Sequence, residues 1–405
     1  MLWPRSLDRY SFLTAGSLVF RIPVRLSSRI FVLNSGDIYR NLAFEACVFG
    51  DSDRFECHPA GKLPPTDIIL WRSAPCVVIG RFQNAWNEIR TDLLRKHGWR
   101  LARRESGGGA VFHDQGNLNI CFMQSRQVLD RRKCMEALQR PLQSLLTNRA
   151  VHVGDRFDLW ISATVSGSED HNQSLRKKIS GSSSKFGSKV AYHHCTLLCE
   201  ANLENLSDVL RPSFRTLQTK ASTSVRSPVV NLCLPVDQVQ QKLIDYLSEW
   251  IGQVDGSLKK PTILQVPEYG ECEYVARERF ERKVDELTAW TWVYGSSPAF
   301  ELDVKKEATM ESDDDQFIPS VRLHCDRGGR VNCLRVGDNE SPKPELHRFV
   351  CDLSNTLTGL ECRPFAWDMA LDHFWSKYIF SNPETGWEVD KTRLIETLKI
   401  LSTRF

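Results

Sequence analysis

The sequence predicts a two-domain α+β protein, and three observations carry that expectation. At 405 residues the chain is too long for one small core. Short apolar strand-like runs and amphipathic helical runs are interspersed without a regular βαβ spacing, which argues against a doubly wound sheet. After Gly270 the pattern changes to a strand-rich stretch followed by two terminal helices, the mark of a second, smaller domain. Hydrophobic content of 41% and charged content of 25% belong to an ordinary soluble globular chain. No run approaches the roughly 18 consecutive apolar residues of a membrane span.

The elements follow in order. The first 30 residues carry Arg5, Arg9, Arg21, Arg25 and Arg29 against the single acid Asp8, spaced among Ser, Leu and Phe. This is the composition of a mitochondrial presequence, assigned to residues 1–29. The rest of the chain is near neutral, so nucleic-acid binding has no compositional support. Residues 30–33 read as a strand, and 37–49 as a helix with Ile38, Leu42 and Phe49 on one face. Residues 67–71 and 76–79 are strands split by the turn Ser73-Ala74-Pro75. Asn87 caps a helix to about Lys96, closed by Gly98. Strands are expected at 99–103, 110–112 and 118–123, around a triple-glycine turn. Residues 162–174 form a polar loop that no core would accept. Residues 235–254 form an amphipathic helix with Val239, Leu243, Tyr246, Leu247 and Ile251 at helical spacing. Beyond it, strands at 290–294 and 299–304, an acidic tract at 311–315, and helices at 344–357 and 391–402 complete the chain. The catalytic domain is set at 30–270 and the accessory domain at 271–405.

Chemistry concentrates in Arg103-Arg104-Glu105-Ser106-Gly107-Gly108-Gly109-Ala110-Val111-Phe112-His113-Asp114-Gln115-Gly116-Asn117. Three glycines let backbone amides approach an anion closely, and the preceding guanidinium groups can neutralise it. The glycine spacing fits neither a Walker loop nor a dinucleotide fingerprint. Adjacent His193 and His194 on a strand point to opposite faces and do not ligate one ion easily, so with His113 they read as packing histidines. Cys195 beside His194 is a minority nucleophile reading, because neighbours on a strand do not share a face. Thirteen scattered cysteines without a Cys-x-x-Cys pair fit reduced thiols. On spacing alone Lys178, in Arg176-Lys177-Lys178-Ile179-Ser180-Gly181, belongs to a solvated basic loop.

These motifs together resemble the lipoate-protein ligase A family, most closely its mitochondrial lipoyltransferase branch. The resemblance rests on Gly80-Arg81-Phe82-Gln83-Asn84-Ala85-Trp86-Asn87-Glu88, the stretch from Arg103 to Asn117, Lys178-Ile179-Ser180-Gly181, and Ala191-Tyr192-His193-His194-Cys195-Thr196-Leu197-Leu198-Cys199. It covers the chain from about residue 30 onward. It implies a catalytic domain similar to biotin and lipoate protein ligases, built on a mixed sheet, plus a small α+β C-terminal domain. It also implies transfer of a lipoyl group to lipoyl domains of 2-oxo acid dehydrogenase acyltransferase subunits.

Carried over by position, Lys178 would contact the acyl carbonyl and the phosphate. Arg104, Ser106, Gly107, Gly108, Gly109, Ala110, Val111 and Phe112 would line the lipoyl-nucleotide site, with Arg156 and Asp158 near the phosphate. Thr196 and the segment Ala221 to Val225, with Ser222, Thr223 and Val225 as its named contacts, would complete the adenylate pocket. Phe157 stands where ligases carry Asn, Cys195 where bacterial members carry Gly, and Ala85 where Pro is usual. The first two changes resemble the transferases that lack the activation half-reaction and receive lipoyl groups preformed, as lipoyl-AMP or from lipoylated glycine-cleavage H protein. The implied protein is a monomer of the mitochondrial matrix with no metal site and no permanent cofactor, Mg entering only with ATP. A complete ATP-dependent ligase, an octanoyl transferase and a non-catalytic lipoyl-domain binder are the alternatives.

Overall fold

The computed structural model describes residues 27–55, 64–163, 176–254, 260–268, 274–309, 318–337, 344–381 and 388–405. The presequence assigned to 1–29 lies outside these residues up to 26, as do 164–174 of the polar loop and the acidic tract 311–315.

A six-stranded mixed sheet is the centre of the fold, in the spatial order Ser182–Phe186, Val190–Leu198, Asn117–Ser125, Asp67–Trp71, Arg29–Leu33, Thr262–Val266. Arg29–Leu33 pairs in parallel with both of its neighbours, and the remaining contacts are antiparallel. Its middle strands are continuous apolar runs because helices cover both faces. Ile30, Val32, Ile68, Leu70, Ile120 and Phe122 face helices Arg131–Leu145 and Val236–Val254. The alternate residues Phe31, Leu33, Ile69, Trp71, Cys121 and Met123 face helices Ile38–Gly50 and Arg277–Thr288. The period of two along a strand thus serves two separate cores.

Two small sheets flank this layer. Cys76–Ile79 lies between Arg100–Arg103, parallel to it, and Val111–His113, antiparallel. The glycine turn is the link between those outer strands. In the other sheet Leu159–Ala163 pairs with Arg149–Val153 and with Lys177–Lys178, setting Trp160 opposite Lys178.

Several expectations need correction. The helix expected from Asn87 is two helices, Ala85–Glu88 and Thr91–His97, and its cap is Asn84, whose side chain accepts from the Asn87 amide. The chain is extended between them at Ile89, which is fully buried. Gly98 closes the second helix at φ +65° as expected. The aromatic run expected as a strand at 290–294 is a short helix, Trp290–Val293. Tertiary bonds override its β propensity: the Trp292 indole donates to the Arg103 carbonyl, and the Trp292 and Val293 carbonyls accept from the Arg103 guanidinium. Ser162 belongs to the strand Leu159–Ala163, not to the loop.

The boundary at 271 also moves. Phe280 and Leu287 of Arg277–Thr288 pack in one core with Leu42, Phe44 and Cys47 of Ile38–Gly50. A separate core gathers from Phe300 onward, over strands Phe300–Asp303, Val321–Cys325 and Val331–Val336 and helices Pro344–Leu357, Asp368–Ser381 and Glu388–Ser402. It borrows Trp86, Phe214 and Leu217, and the Trp86 indole donates to the Phe405 carbonyl at 2.9 Å.

Arg29 is part of the fold, not of a leader. Its guanidinium meets the fully buried Asp67 carboxylate at 2.5 Å, and Arg54 meets the same carboxylate at 3.0 Å. Asp67→Asn would leave two buried guanidiniums without that countercharge. The expected cost is about 3 to 5 kcal/mol, read as a drop in the chemical-denaturation midpoint, and an unchanged midpoint would contradict the assignment.

Candidate active site

A cavity of about 400 Å³ opens beside the glycine turn, with Gly108, Gly109, Lys178, Asp158 and Thr196 in its wall. The turn is held from its carbonyl side. Arg104 donates to the Gly107 oxygen at 2.6 Å, the Gly109 oxygen at 2.7 Å, the Val78 oxygen at 3.1 Å and Ser106 Oγ at 3.0 Å. Ser183 Oγ also donates to the Gly107 oxygen. The amides of Gly107, Gly108 and Gly109 donate to no acceptor among the described residues. Gly108 sits at φ +83°, where a side chain is strained. A Cβ on Gly80 would lie 2.1 Å from the Gly108 oxygen, so the turn can rest on that strand only because residue 80 has none.

Both arginines therefore differ from expectation. Arg103 is fully buried and donates to the carbonyls of Gly80, Arg81, Gln83, Trp292 and Val293 and to Ser297 Oγ. Burial, with the nearby Arg81 charge, pushes it down to about 9. Arg104 lines the cavity but spends its donors on the turn, and burial pushes it down to about 10. They shape the cradle from behind. Arg104 supplies positive potential while most of its donors go to protein oxygens.

Lys178 is pinned in the facing wall. Its ammonium lies 2.8 Å from Asp158 Oδ2, with the Asp158 side chain 3% and the Lys178 side chain 18% exposed. The other Asp158 oxygen accepts from the Trp160 indole at 2.8 Å. The solvated-loop reading of Lys178 is thereby overturned. Before Asp158 the chain turns through Phe157 at φ +58°, under the Arg131 guanidinium at 4.1 Å. Arg156 is exposed and lines the cavity.

The inner end is formed by Leu42, Trp71, Val78, His113, Asn119 and His194. His113 is buried with neither ring nitrogen bonded, and burial, reinforced by Arg104 and His194, pushes it down to about 3. His193, bonded through Nδ1 to Ser184 Oγ at 2.8 Å, is pushed down to about 3 by burial, His194 and Arg131. Both imidazoles are neutral at pH 7. Cys195 touches the cavity, but burial pushes its thiol up to about 12, which removes the thiolate that a nucleophile would need.

The segment 222–225 crosses the turn as a strap. Ser224 Oγ accepts from the Ala110 amide at 2.8 Å and from Gln83 at 3.0 Å, and donates to Glu88 at 2.5 Å. Burial raises the Glu88 carboxyl while the Ser224 bonds oppose the shift. Beyond the strap a second cavity of about 600 Å³ shares Ala110, Val111, Lys178, Thr196, Thr223 and Val225, and adds Leu203, Leu206 and Leu210.

Of the expected residues, Arg104, Gly108, Gly109, Ala110, Val111, Arg156, Asp158, Lys178, Thr196, Ser222, Thr223 and Val225 meet around the first cavity. Ser106 and Gly107 do not line it. Phe112 faces the second cavity, because alternation along Val111–His113 turns it away from its neighbours. Ser224, within the expected segment 221–225, lines the cavity as well, whereas Glu88, His113 and His194 were missed as wall or support. The His113 and Glu88 positions inside the quoted motifs were the available signal.

The chain matches the lipoyl protein ligase A/B catalytic domain model over residues 37–248. It is 35% identical over 307 residues to the mitochondrial lipoyl amidotransferase LIPT1 of Mus musculus, covering 75% of this chain and 74% of that protein. Its identity to the mitochondrial lipoyl amidotransferase LIPT1 of Homo sapiens is 32% over 338 residues, covering 82% and 81%. The structure of P. falciparum LipL1 in complex with lipoate superposes with a TM-score of 0.51 at 16% identity, covering 94% of this chain and 100% of that one. That likeness concerns the fold, which is of the lipoate ligase type.

The depressed histidines give stability a pH dependence. A histidine whose folded pKa lies near 3 and whose unfolded value is near 6.5 stays neutral in the fold while the unfolded chain takes up a proton. Stability is therefore complete above about pH 6.5 and is lost as pH falls toward 3, by about 1.4 kcal/mol per pH unit for each group. Denaturant melts between pH 7 and 4 should show His113→Phe with a shallower slope than the parent. Equal slopes would contradict the neutral, buried imidazole.

Proposed function

The chain belongs to the lipoyl protein ligase A/B family and is an acyl-group transferase acting in lipoyl transfer. On that premise we propose that it moves a lipoyl group from lipoyl-AMP or lipoylated glycine-cleavage H protein to a specific lysine of lipoyl domains in 2-oxo acid dehydrogenase complexes, in the mitochondrial matrix.

One observation carries this reading: Gly108 and Gly109, whose amides have no acceptor among the described residues, and the pinned Lys178 ammonium line one cavity. The inner end, with Leu42, Trp71 and Val78, suits the apolar body of an acyl chain. The amides and the Arg104 charge suit an acyl phosphate at the turn. When the acceptor amine attacks, an N–C bond forms and the bond to phosphate oxygen, or to the donor lysine nitrogen, breaks; the proton of the attacking amine passes to solvent in the first case and ends on the departing lysine nitrogen in the second. Negative charge grows first on the carbonyl oxygen and then on the departing group. Lys178, oriented by Asp158, can stabilise both. The exposed Arg156 guanidinium lines the cavity and suits a phosphate oxygen, while the Arg156 carbonyl accepts from Ser182 Oγ. The second cavity has room for the nucleoside.

The test is transfer by the purified full chain to a lipoyl domain, followed by intact mass. Lipoyl-AMP or lipoylated H protein should label the acceptor, whereas free lipoate with ATP and Mg should not. Equal labelling from free lipoate and ATP would make the protein a complete ligase, and preferred use of octanoyl donors an octanoyl transferase. No labelling from any donor would refute transfer.

A further inference from the structure

Behind the glycine turn runs a chain of buried hydrogen bonds that the proposed chemistry leaves unused. Glu45, on helix Ile38–Gly50, contacts His194 Nδ1 at 2.8 Å. His194 Nε2 contacts Ser106 Oγ at 2.8 Å, and Ser106 Oγ accepts from Arg104 Nε at 3.0 Å. The four side-chain residues are 3%, 8%, 1% and 5% exposed in the order Glu45, His194, Ser106, Arg104. Arg104 in turn grips the Gly107 and Gly109 carbonyls. A carboxylate at one end and a guanidinium at the other make the terminal bonds charge-assisted.

Ser, His and Glu in this order have the connectivity of a nucleophilic triad, yet two observations exclude that role. Ser106 is shut off from the cavity by its burial, and the Arg104 Nε–H points at the oxygen lone pair that an attacking alkoxide would use. Glu45 accepts from Nδ1–H, His194 Nε2 and Ser106 Oγ share the next hydrogen bond, and Ser106 Oγ has a lone pair for the Arg104 Nε–H.

We propose that Glu45, acting through His194 and Ser106, is a positioning residue that sets the Arg104 guanidinium and thereby the glycine turn, with His194 linking the acyl end of the cavity to the phosphate end. The inference rests on the proposed lipoyl-nucleotide site for its functional consequence, though not for its structural one. Fixing the Gly107 carbonyl fixes the plane of the Gly107–Gly108 peptide, whose opposite edge carries the free Gly108 N–H, and fixing the Gly109 carbonyl fixes the next plane, whose N–H on Ala110 is held by Ser224 Oγ. Losing the relay loosens the cradle without touching Lys178.

The experiment compares Glu45→Ala, Glu45→Gln, Ser106→Ala and the double variant Glu45→Ala/Ser106→Ala in the full chain. Readouts are lipoyl-AMP KM and kcat, and hydrogen exchange of the peptide spanning residues 107–109. Glu45→Ala and Ser106→Ala should each raise KM roughly tenfold with kcat changed by less than about twofold. Glu45→Gln, whose amide oxygen still accepts from Nδ1–H, should stay within about threefold of the parent. The double variant should be no worse than either single one, since both break the same chain. Exchange at residues 107–109 should accelerate in the Ala variants and not in Glu45→Gln. Multiplying effects in the double variant, or unchanged KM and exchange in Ser106→Ala, would overturn the relay. If the parent accepts no lipoyl-AMP, the proposed function fails, and the exchange data alone then decide the relay.

Discussion

Two adjacent buried guanidiniums hold this site together, and neither hydrogen-bonds a carboxylate among the described residues. A buried charge is tolerated when its donors are met, and here carbonyl dipoles meet them. Arg103 gathers Gly80, Arg81 and Gln83 against Trp292, Val293 and Ser297, so the segment after strand Cys76–Ile79 and the segment near residue 295 become one support. Arg104 does the same for the glycine turn. Glu105, next in sequence, ties the turn outward to Lys185 and to Lys283, the latter on Arg277–Thr288. Three successive residues therefore brace one loop from three directions.

The chemistry follows from where those donors go. Arg104 and Ser183 hold the Gly107 carbonyl, and the N–H on the other edge of that peptide, that of Gly108, remains for a ligand. On the opposite wall Asp158 has one oxygen on Trp160 and the other on Lys178, which limits where the ammonium can sit. Strand pairing sets this up, since Trp160 and Lys178 are register partners. The strap through Ser224 closes the gap between the two cavities and is itself held by Glu88 from the motif that begins at Gly80. An activated acyl group placed here would meet fixed dipoles and a fixed charge with little reorganisation.

Much of the framework was readable from the chain. Runs such as Asp67–Trp71 and Cys76–Ile79, cut by Ser73-Ala74-Pro75, have one sensible local solution, and the spacing in Pro344–Leu357 has another. The glycine turn was legible because three glycines have few structural uses. The orientation of Arg103 and Arg104 was not, since a guanidinium suits a phosphate and a peptide carbonyl equally. The helix at Trp290–Val293 depends on bonds to Arg103, 189 residues away, and the Glu45–His194 contact spans 149 residues. Pairings at that distance leave no local periodicity. Phe157 was marked by its unusual residue type, and its φ of +58° supplies a physical reason, because Asn occupies that backbone region more easily.

The central claim is that the Lys178 ammonium and the glycine amides act on one activated acyl group. The most direct measurement is single-turnover transfer from lipoyl-AMP to a lipoyl domain by Lys178→Ala, with its fold checked by thermal melting against the parent. Loss of an ammonium that stabilises the developing charge should slow transfer by about 10²- to 10³-fold at an unchanged melting temperature. A folded Lys178→Ala that transfers at the parental rate would contradict the account.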